Sequence, residues 1–210
     1  MRGTLFASVF KPILKRFFKK LSHMQINSIK KHAQQFMAIS CALLLVACAS
    51  SGPKPFKIHG EADPSLNRDS SGKPLSLVLR LYQLKTPDEF NRLTFDSLVS
   101  GKSDAELLGT SMLSQNEFML LPGKTLALDD KIAEEAKYVG IVGFFRKPDP
   151  QFWRVLVSAE DIRDAKELSF KAQDCFLQVI QPKTQSIPGQ PAVFKADCGF
   201  AFKKAAPKSK

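Results

Sequence analysis

The sequence predicts an all-β protein: an antiparallel two-sheet β-sandwich of about eight strands, with one or two short added helices. Two observations predict this fold class. In several segments apolar and polar residues alternate with a period of two, which is the pattern of a half-buried strand. Between these segments lie turns that contain Gly and Pro, such as Leu121-Pro122-Gly123 and Ile187-Pro188-Gly189. Short strands separated by such turns are typical of a sandwich.

Residues 75–84 give the clearest strand signal, because leucines at alternate positions place four leucines on one face of a sheet. Residues 138–146 are apolar on both faces, as expected of a strand in the middle of a sheet. Residues 152–157 alternate again, which places Trp153 in the core. The complete set of predicted strands is 56–63, 75–84, 118–121, 125–128, 138–146, 152–157, 170–180 and 194–202.

One segment after the leucine-rich strand has the features of a helix. Thr86 is a potential N-cap, Pro87 occupies the first helical position, and acidic residues follow in the first turn. Apolar residues then recur at roughly helical spacing as far as Val99. We therefore predict one short amphipathic helix that covers an edge or end of the sandwich. Residues 129–137 are predicted to form a loop with a single 3₁₀ or α turn.

The N-terminal region ends in a lipobox, Leu45-Val46-Ala47-Cys48. Basic residues and then twelve mostly apolar residues precede it, which is the pattern of a secretory signal. This apolar run is too short to span a bilayer, which needs about 20 residues. We expect residues 1–47 to be a signal peptide, with Met24 as an alternative start, and Cys48 to carry the lipid. Several acyl chains on one cysteine would anchor the protein firmly, because each buried CH₂ contributes about 0.8 kcal/mol.

The basic charge of the chain belongs mostly to this targeting segment. The whole sequence has 31 basic and 20 acidic residues, a formal charge of +11. Residues 1–47 contain eight of the basic residues and none of the acidic ones, so 23 basic and 20 acidic residues remain, or +3. The high overall charge is therefore no evidence for nucleic-acid binding, and we expect no nucleic-acid partner.

The mature chain is expected to contain one folded domain. Residues 48–55 form the lipidated cysteine and a tether, residues 56–203 the sandwich, and residues 204–210 a disordered basic tail. Ala49, directly after the lipobox cysteine, favours the outer membrane by resemblance to enterobacterial sorting rules. The size of the domain is sufficient for one hydrophobic core.

Two cysteines remain in the domain, Cys175 and Cys198, and both are predicted to point into the core from two late strands. In an oxidising compartment they would form a disulfide that closes a loop of about 23 residues and stabilises the fold by roughly 3 kcal/mol. Two buried thiols on strands that do not face each other are the alternative.

The sequence contains no recognisable catalytic or metal-binding constellation. His59 is the only histidine after the lipobox, and its position in a strand predicts a half-exposed residue without a catalytic role. Acidic pairs are expected to be solvated, and phosphate-binding, dinucleotide-binding and C-x-x-C motifs are absent from the sequence. We therefore predict a binding or scaffolding protein without catalytic residues, metal, cofactor or small-molecule substrate. The acidic pairs are Asp129/Asp130, Glu134/Glu135 and Asp161/Asp164.

Several of these segments, in their order along the chain, resemble the TssJ (VasD-like) lipoproteins of the bacterial type VI secretion system. The resemblance covers about residues 56–202 and rests on the lipobox together with several short motifs. The long N-terminal prefix and the cysteine pair depart from the family pattern. The motifs are Leu66-Asn67, Ser71-Gly72-Lys73-Pro74, Leu79-Arg80-Leu81-Tyr82-Gln83-Leu84, Leu107-Leu108-Gly109, Leu121-Pro122-Gly123, the strand at 138–146 and Trp153-Arg154.

The resemblance implies a transthyretin-like sandwich, anchored by lipid at the periplasmic face of the outer membrane. It also implies a partner: the periplasmic domain of the IcmF-like inner-membrane component, TssM. In the family, the loop between the first two strands contacts this partner, and here that loop is 64–74. The residues expected at its tip are Leu66, Asn67, Arg68, Asp69, Ser71, Gly72 and Lys73.

Three other functions agree with the sequence. One is a lipoprotein of a different envelope assembly, such as a pilus or barrel-assembly accessory. The second is a periplasmic ligand-binding lipoprotein, and the third, disfavoured by the shortage of histidines, is an exported hydrolase.

Overall fold

The computed structural model describes residues 52–191 and 193–199. The predicted signal peptide, Cys48 and the tail at 204–210 lie outside these residues. No helix within the described ranges is long and apolar enough to cross a membrane.

Two four-stranded sheets form the framework of the domain, which confirms the predicted all-β, two-sheet fold. The first sheet has the strand order β4-β1-β7-β8 and the second β3-β2-β5-β6. Every pair of neighbours is antiparallel except β1 and β7, which are parallel, so the expectation of wholly antiparallel sheets is wrong for this pair. The strands are β1 Lys54–Ala62, β2 Leu77–Leu84, β3 Met112–Leu120, β4 Thr125–Ile132, β5 Tyr138–Gly143, β6 Arg154–Ser158, β7 Glu167–Ala172 and β8 Leu177–Gln181.

The core follows the alternation seen in the sequence. Leu77, Leu79 and Leu81 of β2 are fully buried. Strand β5 lies between β2 and β6, and its apolar residues at 139, 141 and 142 are also fully buried, as predicted for a central strand. The first sheet contributes Ile58 and Phe170 to the same core. Burial of these apolar side chains on both sheets is the main stabilising contribution to the sandwich.

Several of the predicted strand boundaries are wrong. Strand β3 begins at Met112 and not at residue 118, and β5 ends at Gly143 and not at residue 146. The segment 170–180 is interrupted by a turn at 173–176 and belongs to two strands, β7 and β8. Residues 193–199 contain no strand, because the aromatic ring of Phe194 packs against Phe152 and Phe176 and does not extend a sheet. Residues 129–132, expected to be a loop, continue β4, where they pair with β1.

The predicted helix at 86–99 is two helices, α1 Asp88–Arg92 and α2 Phe95–Val99. They are separate because Leu93 is extended and Thr94 begins a new capping box with Ser97. Thr86 does not cap α1, whose N-cap is Pro87 without a side-chain hydrogen bond. Elements that the sequence did not predict are α3 Asp104–Leu108, a 3₁₀ turn Gly109–Ser111 and α4 Ala159–Ala165.

The connection from β2 to β3 covers the outer face of the second sheet. Phe90 of α1 is fully buried and contacts the ring of Tyr82 edge-on, with ring centroids 6.2 Å apart. It also lies directly over Gly140 of β5, where an added Cβ would be 2.4 Å from the Phe90 ring. A glycine is therefore required at position 140 for α1 to pack this closely on the sheet.

Candidate partner-binding loop

The loop 63–76 joins β1 of one sheet to β2 of the other, and its first half is built into the domain. The amide of Asp63 donates to the carbonyl of Ala172 (2.9 Å), and the amide of Leu75 donates to that of Leu66 (3.1 Å). Leu66 itself is fully buried in the core. The prediction that Leu66 lies at the tip of the loop is therefore wrong, since its side chain anchors the loop.

Asn67 is the central hydrogen-bonding residue of this anchor, and it too lies inside the protein, with 5% of its surface exposed. Its side-chain amide donates to the carbonyl of Ser76 (2.8 Å), and its side-chain oxygen accepts from the amide of Arg146 (2.8 Å). Its φ of 50° is left-handed, a conformation that asparagine tolerates better than most residues. Asn67 is thus a structural residue of the loop and not part of its exposed tip.

Arg68 and Asp174 fix the loop to the turn between β7 and β8. The Arg68 guanidinium forms an ion pair with the Asp174 carboxylate, and the Arg68 amide donates to the same carboxylate (3.3 Å). The hydrogen bond to Asp174 raises the pKa of Arg68. The amide of Asn67 donates to the Asp174 carbonyl (2.9 Å). Two consecutive loop residues are therefore attached to one residue on a different connection.

Residues 69–74 form the tip, and the Asp69 side chain organises it. This carboxylate accepts hydrogen bonds from the amide and hydroxyl of Ser71 (2.8 and 2.6 Å) and from the amide of Lys73 (3.0 Å). These bonds, that of the Ser71 hydroxyl above all, lower the pKa of Asp69. Gly72 has a φ of 85°, which glycine adopts without strain.

The exposed side chains of the tip are those of Ser70, Ser71, Lys73 and Pro74. The turn that carries them is closed by backbone hydrogen bonds from Gly72 to Asp69 and from Asp69 to Lys73, both 3.0 Å. The tip thus presents hydroxyls, an ammonium group and a rigid proline in a fixed arrangement. Such a surface can form specific hydrogen bonds and charge contacts at a small cost in conformational entropy.

The two domain cysteines meet at the same end of the sandwich. Cys175 and Cys198 form a disulfide with a Cα–Cα distance of 5.5 Å. Neither cysteine lies on a strand as predicted, since Cys175 is in the turn 173–176 and Cys198 in the C-terminal segment. Cys175 is 2% exposed, whereas Cys198 is half-buried.

The remaining candidate residues form no reactive site among the residues that the structure describes. His59 is half-exposed on β1, and its Nε2 lies 3.9 Å from a carboxylate oxygen of Glu61. Within 52–191 and 193–199, no group of three or more His, Cys, Asp or Glu residues is arranged to hold a metal ion. Trp153 is 4% exposed, which confirms that it belongs to the core.

The sequence reasoning missed the residues that support the loop from other connections. Asp174 and Arg146 make these contacts, and both lie far from 63–76 in sequence. Asp149 supports the loop only indirectly, because its amide donates to the carbonyl of Cys175, the neighbour of Asp174.

Comparisons with solved structures show the same fold in type VI secretion proteins. The lipoprotein TssJ1 from Pseudomonas aeruginosa is 24% identical, covers 65% of this chain and 99% of its own, and has a TM-score of 0.53. Lip from Serratia marcescens, a membrane-bound component of the system, is 22% identical over 61% of this chain and 98% of its own, with a TM-score of 0.54. A chain of a type VI membrane complex is 26% identical over 61% and 98%, with a TM-score of 0.56.

A search of curated proteins by sequence found no match. A family model described as type VI secretion lipoprotein, VasD, EvfM, TssJ matches residues 54–175, which is more than half of the chain. This is a family of secretion-system lipoproteins and not a family of enzymes, and it gives the chain a role in the cell-envelope part of type VI secretion. The chain therefore belongs to the TssJ family of type VI secretion lipoproteins.

Proposed function

We propose that this protein scaffolds the trans-envelope complex of a type VI secretion system by binding the periplasmic domain of the IcmF-like inner-membrane component, TssM. Acyl chains on Cys48 would hold it at the periplasmic face of the outer membrane after removal of residues 1–47. Residues 48–55 would be the tether, 56–203 the binding domain and 204–210 a free tail. No enzymatic activity is part of this function.

The observation that carries the proposal is the construction of loop 63–76. Its base is held by Leu66, Asn67 and Arg68, and its tip exposes Ser71 and Lys73 on a turn fixed by hydrogen bonds. A connection with no partner would not need this many contacts to keep its polar tip in one conformation. Rigid presentation of polar groups reduces the entropy lost on binding, which favours a recognition loop.

A binding experiment with the full protein in detergent tests the proposal. The purified protein is mixed with the periplasmic region of the host's IcmF-like component, and the affinity is measured by calorimetry. The tip variant combines Ser71→Asp with Lys73→Glu, while the control variant, Lys85→Glu, makes the same lysine charge reversal at an exposed site at the opposite end of β2.

Micromolar or tighter binding that the tip variant loses and the control retains would establish the function and its site. Binding that survives in a correctly folded tip variant would move the interface away from this loop. No binding by the folded wild-type protein would contradict the proposed partner.

Membrane attachment is tested separately. In cells, a Cys48→Ser variant is expected to lose the mass of the acyl chains and to leave the outer-membrane fraction. Outer-membrane retention of this variant without any acyl modification would contradict lipid anchoring at Cys48.

A further inference from the structure

The described residues 182–191 and 193–199, here called the strap, follow β8 and lie beyond the part of the chain that the family model matches. The strap crosses from β8 to the edge of β6, where Thr184 forms a single β-bridge with Val157 and the Gln185 amide donates to the Leu156 carbonyl (2.7 Å). Ile187 is fully buried. The first half of the strap is thus part of the domain without forming a strand.

The second half of the strap is held by three contacts, of which one is covalent. The ring of Phe194 packs between Phe152 and Phe176, with centroid distances of 4.5 and 5.3 Å. The amide of Asp197 donates to the Asp149 carboxylate (2.6 Å). The next residue, Cys198, forms the disulfide with Cys175.

The disulfide joins the strap to the turn that also holds the candidate binding loop. Asp174, adjacent to Cys175, bonds to the amides of Asn67 and Arg68 and pairs with the Arg68 guanidinium. The carbonyl of Cys175 accepts from the amide of Asp149 (2.9 Å), whose carboxylate in turn bonds to the strap. Strap, β5–β6 loop and binding loop therefore converge on residues 174 and 175.

We propose that the Cys175–Cys198 disulfide is a redox latch that positions loop 63–76 for its partner. This inference rests on the proposed function and concerns the regulation of the same site. With the bond intact, the turn 173–176 is held by the strap and keeps Asp174 in place beneath Asn67 and Arg68. When the bond is reduced, the turn loses its covalent support, the base of the loop loosens, and the partner binds more weakly.

The reductant is a dithiol, and the reaction is ordinary thiol–disulfide exchange. Its thiolate attacks the sulfur of Cys198, because Cys198 is half-buried whereas Cys175 is 2% exposed. The S–S bond breaks, Cys175 leaves as a thiolate, and a mixed disulfide forms on Cys198. The second thiol of the reductant then displaces Cys198, so that two thiols form on the protein and the reductant becomes a disulfide.

Hydrogen exchange on the full protein in detergent tests the latch without any partner. Wild-type protein is compared before and after treatment with a dithiol, together with a Cys175→Ser/Cys198→Ser double variant. The amides of Asn67 and Arg68 are expected to exchange about fivefold faster or more in both reduced forms. Amides in β2 and β5, which lie outside both the strap and the turn 173–176, should keep their protection.

The matched control is Phe194→Ala, which removes the ring packing of the strap and leaves the disulfide intact. It is expected to leave the amides of Asn67 and Arg68 protected. Unchanged protection of these amides after reduction would overturn the proposal. So would equal acceleration throughout the domain, because the bond would then be a general staple and not a latch for this loop.

Binding to the periplasmic region of the IcmF-like component gives the second readout. The oxidised protein should bind this region at least about fivefold more tightly than the dithiol-treated protein does. Equal affinities would overturn regulation of binding by the disulfide. If the oxidised protein does not bind at all, the proposed partner is wrong, while the exchange experiment still decides whether the disulfide holds the loop.

Discussion

The two connections on either side of β2 lie at opposite ends of that strand and are held in different ways. Loop 63–76, which enters β2, is ordered by hydrogen bonds to polar side chains, with Asn67, Asp69 and Asp174 as the main partners. The connection 85–111, which leaves β2, is ordered by burial of apolar residues of its short helices against the second sheet. Hydrogen bonding can hold a loop that projects into solvent, whereas apolar packing requires the connection to lie flat. Only the first arrangement leaves a rigid tip free for a partner.

The helical connection is also held by a buried cation of a neighbouring strand. Arg154 of β6 donates to the carbonyl of Asn91 (3.0 Å) and to that of Leu93, at the end of α1, and stacks on Trp153. Burial lowers the pKa of Arg154 to about 10, which is above physiological pH, so the side chain is charged when it makes these bonds. Arg154 therefore fastens the end of α1 to the sheet, while the ring of Trp153 contacts Phe95 of α2.

The largest effect on stability is expected from Phe90→Ala in the helical connection 85–111. Phe90 is fully buried between Tyr82 and Gly140, so its truncation should lower the free energy of unfolding by about 3–5 kcal/mol. Urea denaturation followed by circular dichroism measures this loss. The matched control is Val99→Ala on α2, where the side chain is 57% exposed and the expected change is within about 0.5 kcal/mol.

The Phe90→Ala variant also tests whether the two connections, at opposite ends of β2, are ordered independently. Under conditions where Phe90→Ala is still folded, the binding loop should keep its hydrogen-exchange protection and its affinity for the partner. A loop that loosens along with the helical connection would show that the two ends are not independently ordered.

A smaller loss, about 2–4 kcal/mol, is expected from Asn67→Ala on the hydrogen-bonded side. The change leaves the Ser76 carbonyl and the Arg146 amide without their partner and places alanine at a φ of 50°. Asn67→Gly removes the same two hydrogen bonds but fits this φ, so it should be less destabilising than alanine by about 1 kcal/mol. Equal stabilities of the two variants in urea denaturation would show that backbone conformation contributes nothing at this position.

The parts of the fold that the sequence predicted well are those whose burial pattern is local. Alternating leucines predict strand β2, and a continuous apolar run predicts strand β5. The parallel pairing of β1 with β7 and the break between α1 and α2 depend on distant partners or on one capping residue, so composition did not reveal them. The apparent strand at 194–202 had the correct alternation, but in the described part its Phe194 contacts other aromatic rings instead of a sheet.

The candidate site shows the same limit. Its location between the first two strands was predicted, but the division into buried base and exposed tip was not. The local sequence around Leu66 and Asn67 does not indicate that both are buried, because the contacts that bury them come from distant parts of the chain. The bond from Arg146 to Asn67 spans 79 positions, and that from Arg68 to Asp174 spans 106.

The smallest expected effect is an opening of the loop tip in acid, which should leave the base of the loop unchanged. The hydroxyl of Ser71, followed by the amide of Lys73, lowers the pKa of Asp69, because both donate to its ionised carboxylate. Because the pKa of Asp69 is lower in the folded tip than in the unfolded chain, the ionised carboxylate stabilises the tip at pH values above the ordinary Asp pKa. This stabilisation is lost as the pH falls through the lowered pKa. The tip should therefore be unaffected between about pH 5 and 8 and open only in more acidic solution, below the ordinary Asp value of about 3.9.

Amide NMR signals of Ser71 and Lys73 during an acid titration measure this opening. In Asp69→Asn the side chain keeps one acceptor oxygen but cannot titrate, so the signals should no longer change in this pH range. The backbone amide signal of Asn67 should change little in either protein, because the hydrogen-bond partners of Asn67 are carbonyls and an amide, which do not titrate. If the Asn variant opens at the same pH as the wild type, another group controls the tip. If the Asn67 signal moves together with those of Ser71 and Lys73, tip and base respond as one unit, because acid then releases both from the domain at once.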